Sequence, residues 1–221
     1  MYEEWQSPLP HVIAWRSVTP PGAAPLRILP DGCLDLIWQD GTVFVAGPDT
    51  TAQLGRPSPG SRHAALRFGA GTGPGVLGVP ASELVDRQVR LDALWPAAAV
   101  RAIAEAGDPL AALTAAAFDR WRTPDRTMVA LAAAARAGLP VSAVADRCSL
   151  SPRQLQRRSN DAFGYGPKTL HRIFRMQRAV ALARSGRPFA AVSADAGYAD
   201  QAHLAREVKA MAGVPLGALV S

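Results

Sequence analysis

The spacing of apolar residues changes character near residue 81, and that change decides which folds are open to the chain. Before it, short apolar runs at Val12–Val18, Leu26–Leu29, Leu34–Trp38, Thr42–Ala46 and Ala64–Phe68 alternate with turn-forming clusters. The clusters are Pro20-Pro21-Gly22, Pro30-Asp31-Gly32, Asp40-Gly41, Gly47-Pro48-Asp49 and Pro57-Ser58-Pro59-Gly60. Strands at this spacing predict a small barrel or sandwich. Asp40-Gly41 suits a tight hairpin, because both residue types tolerate positive φ. Gly69–Gly78 holds five glycines in ten residues and predicts a loop.

After residue 81 the period is helical. Ala97–Ala106 predicts a helix that Gly107-Asp108-Pro109 stops. Leu110, Leu113, Ala117, Phe118 and Trp121 then recur on one helical face, which reads as a core stripe or, if exposed, a dimer seam. Thr123-Pro124 supplies a cap and a first-turn proline for the next helix, which Gly138-Leu139-Pro140 ends. The expected class is α+β. Residues 1–122 form a β-rich barrel or sandwich-like domain with trailing helices, and residues 126–221 form an all-α domain.

Charge divides at the same place. Residues 1–125 hold 10 Arg and no Lys against 13 acidic residues, whereas residues 126–221 hold 14 basic against 5 acidic residues. A basic half of this size suits a phosphate backbone as partner, although Arg outnumbers Lys by 22 to 2 and part of the excess follows base composition. The apolar runs are far shorter than the roughly 18 residues that span a bilayer, and Glu3 and Glu4 stand where a secretion signal carries positive charge. A cytoplasmic protein with no membrane partner is expected.

Leu150-Ser151-Pro152-Arg153-Gln154-Leu155 is the sharpest local signal. Ser151 can cap a helix, Pro152 suits its first position, and Gln154 can reach back to the cap. Leu150 and Leu155 have the spacing of a hydrophobic staple. Upstream, Val141–Cys148 reads as a short helix, so a turn at Ser149 completes a helix-turn-helix. The grammar recurs about 47 residues later: Val192–Ala196, a turn at Gly197-Tyr198-Ala199, and a second helix over Asp200–Met211. Leu170–Arg184 joins the two, with Leu170, Ile173, Phe174, Gln177, Val180 and Ala181 along one side.

On these segments residues 126–219 resemble the AraC/XylS family of bacterial transcription regulators. The likeness extends through Phe163-Gly164-Tyr165-Gly166-Pro167-Lys168, Ala194-Asp195-Ala196-Gly197-Tyr198-Ala199-Asp200-Gln201-Ala202-His203-Leu204 and Ala212-Gly213-Val214-Pro215-Leu216. More weakly, Leu29-Pro30-Asp31-Gly32-Cys33-Leu34-Asp35-Leu36-Ile37-Trp38 and Ala46-Gly47-Pro48 resemble a sensor-like domain often fused to it. Departures are Ser159 at a usually apolar position, Leu204 and Val208 in place of aromatics, and Ala199 where a capping Ser is frequent, which leaves Asp200 to cap.

The resemblance implies two recognition helices entering successive major grooves of double-stranded DNA. The expected DNA-binding set is Ser151, Arg153, Gln154, Gln156, Arg157, Lys168, Arg172, Asp200, Gln201, His203, Arg206 and Lys209. Arg153 and Arg157 have the chemistry to pair with guanine, and Gln154, Gln156 or Gln201 with adenine. Arg158, Lys168, Arg172, Arg175 and Lys209 suit phosphate. In the first half Trp15, Arg27, Asp31, Asp35, Trp38 and Arg67, with Trp5, combine aromatic walls and polar groups as ligand sites do.

His11, His63, His171 and His203 are scattered, and no phosphate loop or nucleophile motif appears, so an enzyme is disfavoured and no metal or cofactor is expected. Cys33 and Cys148 read as small buried residues. Three readings stand open: a ligand-responsive DNA-binding regulator, a DNA-binding protein whose first half makes protein contacts, and a barrel enzyme. A small-molecule effector and a second copy of the chain are candidate partners.

Overall fold

A computed structural model describes residues 1–56, 58–139 and 150–220; the helix expected at Val141–Cys148 and the turn at Ser149 lie outside these residues. The N-terminal half is built on one antiparallel sheet. Its strands are β1 (Tyr2–Gln6), β2 (Val12–Val18), β4 (Leu34–Gln39), β5 (Thr42–Ala46), β7 (Arg62–Phe68) and β8 (Gln88–Arg90), in the order β1-β2-β7-β4-β5-β8. β3 (Leu26–Ile28) and β6 (Gln53–Gly55) pair in a separate ribbon. β1 and β8 are open edges, so the barrel alternative gives way to a sandwich-like open sheet. The Asp40-Gly41 hairpin is present, with φ of 45° and 87° at its two central residues.

Strand alternation sorts the side chains. Leu34, Leu36 and Trp38 face inward with Val12, Ala14, Val43, Val45, Leu66 and Phe68. Three helices, α1 (Pro74–Leu77), α2 (Ala97–Ala104) and α3 (Pro109–Arg120), add Leu77, Ile103 and Leu113 to that core, and Leu84, Leu91 and Trp95 join from the segments between α1 and α2. Each such side chain contributes about 1.5–3 kcal/mol by leaving water. The Trp38 indole N–H also donates to the Ala104 carbonyl at the end of α2 (3.1 Å).

Two expectations need correction here. The glycine-rich stretch contains α1, because Pro74 at its start and Gly78 in the left-handed conformation (φ 81°) bound a one-turn helix. On α3, Leu113 and Ala117 are fully buried but Phe118 is 65% exposed. At 3.6 residues per turn Phe118 stands about 140° around the helix from Leu113, too far for one stripe.

The C-terminal half begins with α4 (Arg126–Arg136). Its cap is Asp125, whose carboxylate accepts from the N–H groups of Thr127 and Met128, not Thr123. There follow α5 (Pro152–Phe163), α6 (Pro167–Arg184), α7 (Phe189–Asp195), α8 (Gln201–Ala212) and a closing turn at Leu216–Leu219. Met128, Leu131, Phe163, Leu170, Ile173, Phe174, Val180, Leu204 and Val208 share one core. Ala181 is exposed, and Ala179 and Ala183 take the inward positions on either side of it. Leu29 and Ala70 of the first half also pack into this core.

Candidate nucleic-acid interface

The start of α5 is built by its own sequence. Ser151 Oγ accepts from the Gln154 N–H (3.3 Å), and Gln154 Oε1 accepts from the Ser151 N–H (3.0 Å). Pro152 occupies the first turn, and Leu150 and Leu155 both pack, partly buried, on the core below. This reciprocal box satisfies two of the N–H groups that a helix start leaves without partners. Gln154 is thereby committed to the cap, and Gln156 donates to Asn160 Oδ1 (3.0 Å). Arg153 and Arg157 are exposed and make no side-chain hydrogen bond among the described residues.

α8 repeats the arrangement with different chemistry. Asp200 Oδ1 caps it by accepting from the His203 N–H (2.6 Å), and Leu204 and Val208 are buried. Gln201, Arg206 and Lys209 are exposed. His203 is turned back on its own motif: Nδ1 accepts from the Ala199 N–H (3.4 Å), Nε2 lies 3.6 Å from Glu207, and the ring meets Tyr198 edge-on.

Ion pairs redistribute the expected phosphate contacts. Arg175 grips both Glu207 oxygens through Nη2 (2.7 and 2.8 Å), lies over the Tyr198 ring, and keeps only 15% of its side chain exposed. Arg172 holds the same carboxylate through Nε at 3.3 Å but remains about half exposed. Burial pushes Glu207 upward, yet the hydrogen bonds and charges of Arg175 and Arg172 hold it below the usual carboxylate range. Arg158 is drawn to Asp125. Lys168 and Lys209 are exposed. Glu207 and Asp125 went unread in the sequence; the only signal was that acids are scarce in this half and Glu207 lies four residues after His203.

Of the six ligand candidates of the first half, Trp15, Asp35 and Arg67 come together and the other three lie elsewhere. Trp15 donates its indole N–H to Asp35 Oδ1 (2.8 Å), and Arg67 reaches the same carboxyl at 3.3 Å with its guanidinium over the Trp15 ring. Burial raises Asp35 above the usual carboxylate range, against the pull of Arg67. Trp38 is on the opposite face of the sheet, since it stands three residues from Asp35 on the same strand. Asp31 accepts from the Cys33 N–H at the turn before β4, and Arg27 reaches away to α8. Of the six, only Trp38 lines the large groove of about 1090 Å³ between α3 and the β1–β2 edge, whose walls include Trp5, Val18, Leu110 and Phe118. Among the described residues no group of three or more His, Cys, Asp or Glu is arranged to hold a metal ion, and no helix is long and apolar enough to cross a membrane.

Residues 144–220 match the family model of a helix-turn-helix domain, and residues 8–90 match that of a domain of unknown function, DUF6597. No curated protein sequence matches the chain. Among solved structures, the apo form of a ToxT variant from Vibrio cholerae strain SCE256 is 9% identical, with 97% of this chain and 98% of that chain covered at a TM-score of 0.49. ToxT from Vibrio cholerae O395 bound to (E)-4-(8-methylnaphthalen-1-yl)but-3-enoic acid is 10% identical over 94% of this chain and 98% of that one, at 0.47. Wild-type ToxT of strain SCE256 bound to an unsaturated fatty acid is 9% identical over 95% and 94%, at 0.44. The chain carries an AraC-type helix-turn-helix domain in its C-terminal half, joined to an N-terminal domain of unknown function.

Proposed function

We propose that the protein is a cytoplasmic regulator that reads double-stranded DNA through α5 and α8 and responds to a small molecule through its first half. The division into residues 1–122 and 126–221 is part of the same proposal. The observation that carries it is the pair of capped helices flanking α6, one presenting Arg153 and Arg157 and the other Gln201, Arg206 and Lys209 to solvent. Arg153 and Arg157 read guanine edges, Gln201 an adenine, and Lys168, Arg172 and Lys209 fix the register on phosphates. Ser151 and Asp200 contribute by setting where each helix starts.

The Trp15–Asp35–Arg67 cluster supports the ligand response, because it offers an aromatic wall, a cation and a largely buried carboxyl on one sheet face. Exposed Phe118 beside the α3 groove favours the second reading, in which the first half makes protein contacts, a second copy included. Hydroxyl-radical footprinting on the DNA upstream of the protein's own gene tests the first. Two protected windows on one face of the duplex, about 10 base pairs apart, are expected. Uniform protection at all positions would reject sequence reading.

A further inference from the structure

The first half touches the far ends of both recognition helices, and one short segment touches both. α5 is capped at its end by Gly164, in the left-handed conformation (φ 84°), where a Cβ would stand 2.4 Å from Val85 Cγ2 and 3.0 Å from Pro48 Cγ. Phe163, the last residue of α5, is buried against Gly71, where a Cβ would approach its ring to 2.9 Å. The end of α5 is therefore fitted to the N-terminal half without room for a methyl group.

α8 is held by hydrogen bonds. The carbonyl of Met211 accepts from the Ala52 N–H at 2.7 Å, and the carbonyl of Ala212 accepts from Arg27 Nη1 at 2.8 Å. Both carbonyls belong to the last turn of α8, where a helix has no donors of its own, and a guanidinium suits the negative end of the helix dipole. Pro48 and Ala52 lie four residues apart on the chain. Between them Thr50 donates through its N–H (2.7 Å) and its hydroxyl (2.6 Å) to the carboxylate of Asp86, which fixes the segment to the rest of the first half.

We infer that Arg27 and the Pro48–Ala52 segment act as a strut that positions the second recognition helix relative to the first, so that the N-terminal half sets the spacing of the two DNA half-sites. This rests on the DNA-reading proposal above. Arg27 is here a positioning residue: it binds no base, and it acts on the register in which α8 meets DNA. One inserted base pair shifts the second half-site by about 3.4 Å along the duplex, which a fixed pair of helices cannot follow.

The test uses the full-length protein. Wild type selects its preferred duplex from a random pool, and one base pair is then added to or removed from the stretch between the half-sites. Wild type is expected to lose about tenfold or more in affinity on either spacing variant, comparable to a mismatched base pair. Arg27→Ala is expected to bind the original duplex within a few-fold of wild type and to lose less than about threefold on changed spacing, with Arg27→Lys restoring discrimination, since an ammonium can still donate to Ala212. Thr50→Val, which cuts the hydroxyl bond to Asp86, provides a second variant if Arg27→Ala does not fold. Variants as strict about spacing as wild type overturn the strut. A wild type that selects no sequence at all removes the DNA-reading proposal itself, and the inference with it.

Discussion

Arg158 of α5 holds Asp125, 33 residues earlier, through Nη2 at 2.7 Å and Nε at 3.0 Å. The same carboxylate caps α4 by accepting from the Thr127 N–H at 2.9 Å. One side chain therefore starts the first helix of the C-terminal half and anchors the helix proposed to read DNA. Burial raises Asp125, but Arg158 and the cap N–H groups outweigh it and hold it below the ordinary carboxylate range.

Asp125→Ala should lower unfolding free energy by about 1–2 kcal/mol at pH 7, roughly 1 from the cap and a solvent-screened fraction from the pair. A carboxyl depressed in the folded state stabilises above its unfolded value near 3.9, and the contribution is lost as pH falls through the folded value. Urea titrations at pH 7 and pH 3 should show the difference between Asp125→Asn and wild type shrinking at acid pH.

Glu207 has 9% of its side chain exposed and is shared by Arg175 and Arg172. Glu207→Ala strands the buried Arg175 and should cost about 3 kcal/mol, whereas the double change Glu207→Leu with Arg175→Met should recover most of it. Chemical denaturation of the three proteins decides this. An equal loss in the single and double variants would mean that shape, not uncompensated charge, sets the cost.

Ser159 is fully buried on α5, and among the described residues its hydroxyl donates to the Met128 sulfur alone, at 4.0 Å. A thioether is a weak acceptor, so the desolvated hydroxyl is poorly compensated. Ser159→Ala should be neutral or stabilising by up to about 1 kcal/mol. A clear drop in melting temperature would show that the hydroxyl matters to the core.

Asp49, in the strut, is pushed up to about 6, first by burial and then by the charge of Asp86. The folded protein thus binds this proton more tightly than the unfolded chain. Its relative stability is greatest below about pH 4 and declines as pH rises through 6. Asp49→Asn should be more stable than wild type at pH 7.5, by about 1 kcal/mol after allowing for solvent screening of this partly exposed group, and equal to it at pH 4. Thermal unfolding across that range gives the comparison.

Local chemistry was legible in the sequence; pairings across the chain were not. The box at Ser151 and Gln154, the cap at Asp200 and the hairpin at Asp40-Gly41 are decided within a few residues, and all are present. β1 escaped notice because Tyr2 and Trp5, three apart on one strand, point to opposite faces, so no apolar alternation marks it. Residue type alone marks the six ligand candidates, whereas strand parity separates Trp38 from Asp35. Arg158 and Arg175 looked like phosphate contacts because their partners, Asp125 and Glu207, lie more than thirty residues away. Arg27 meets Ala212 across 185 residues, a separation that no local pattern encodes.

The proposed regulator role depends on sequence reading by α5 and α8. Its most direct test is equilibrium binding of wild type and Arg157→Ala to the DNA upstream of the protein's own gene, with nonspecific competitor, over a salt series. Wild type should bind in the nanomolar range with affinity that falls steeply with salt, and Arg157→Ala should fold as wild type but bind about 1–3 kcal/mol more weakly on that site and not on random DNA. Weak binding, indifferent to sequence and to Arg157, would contradict that role.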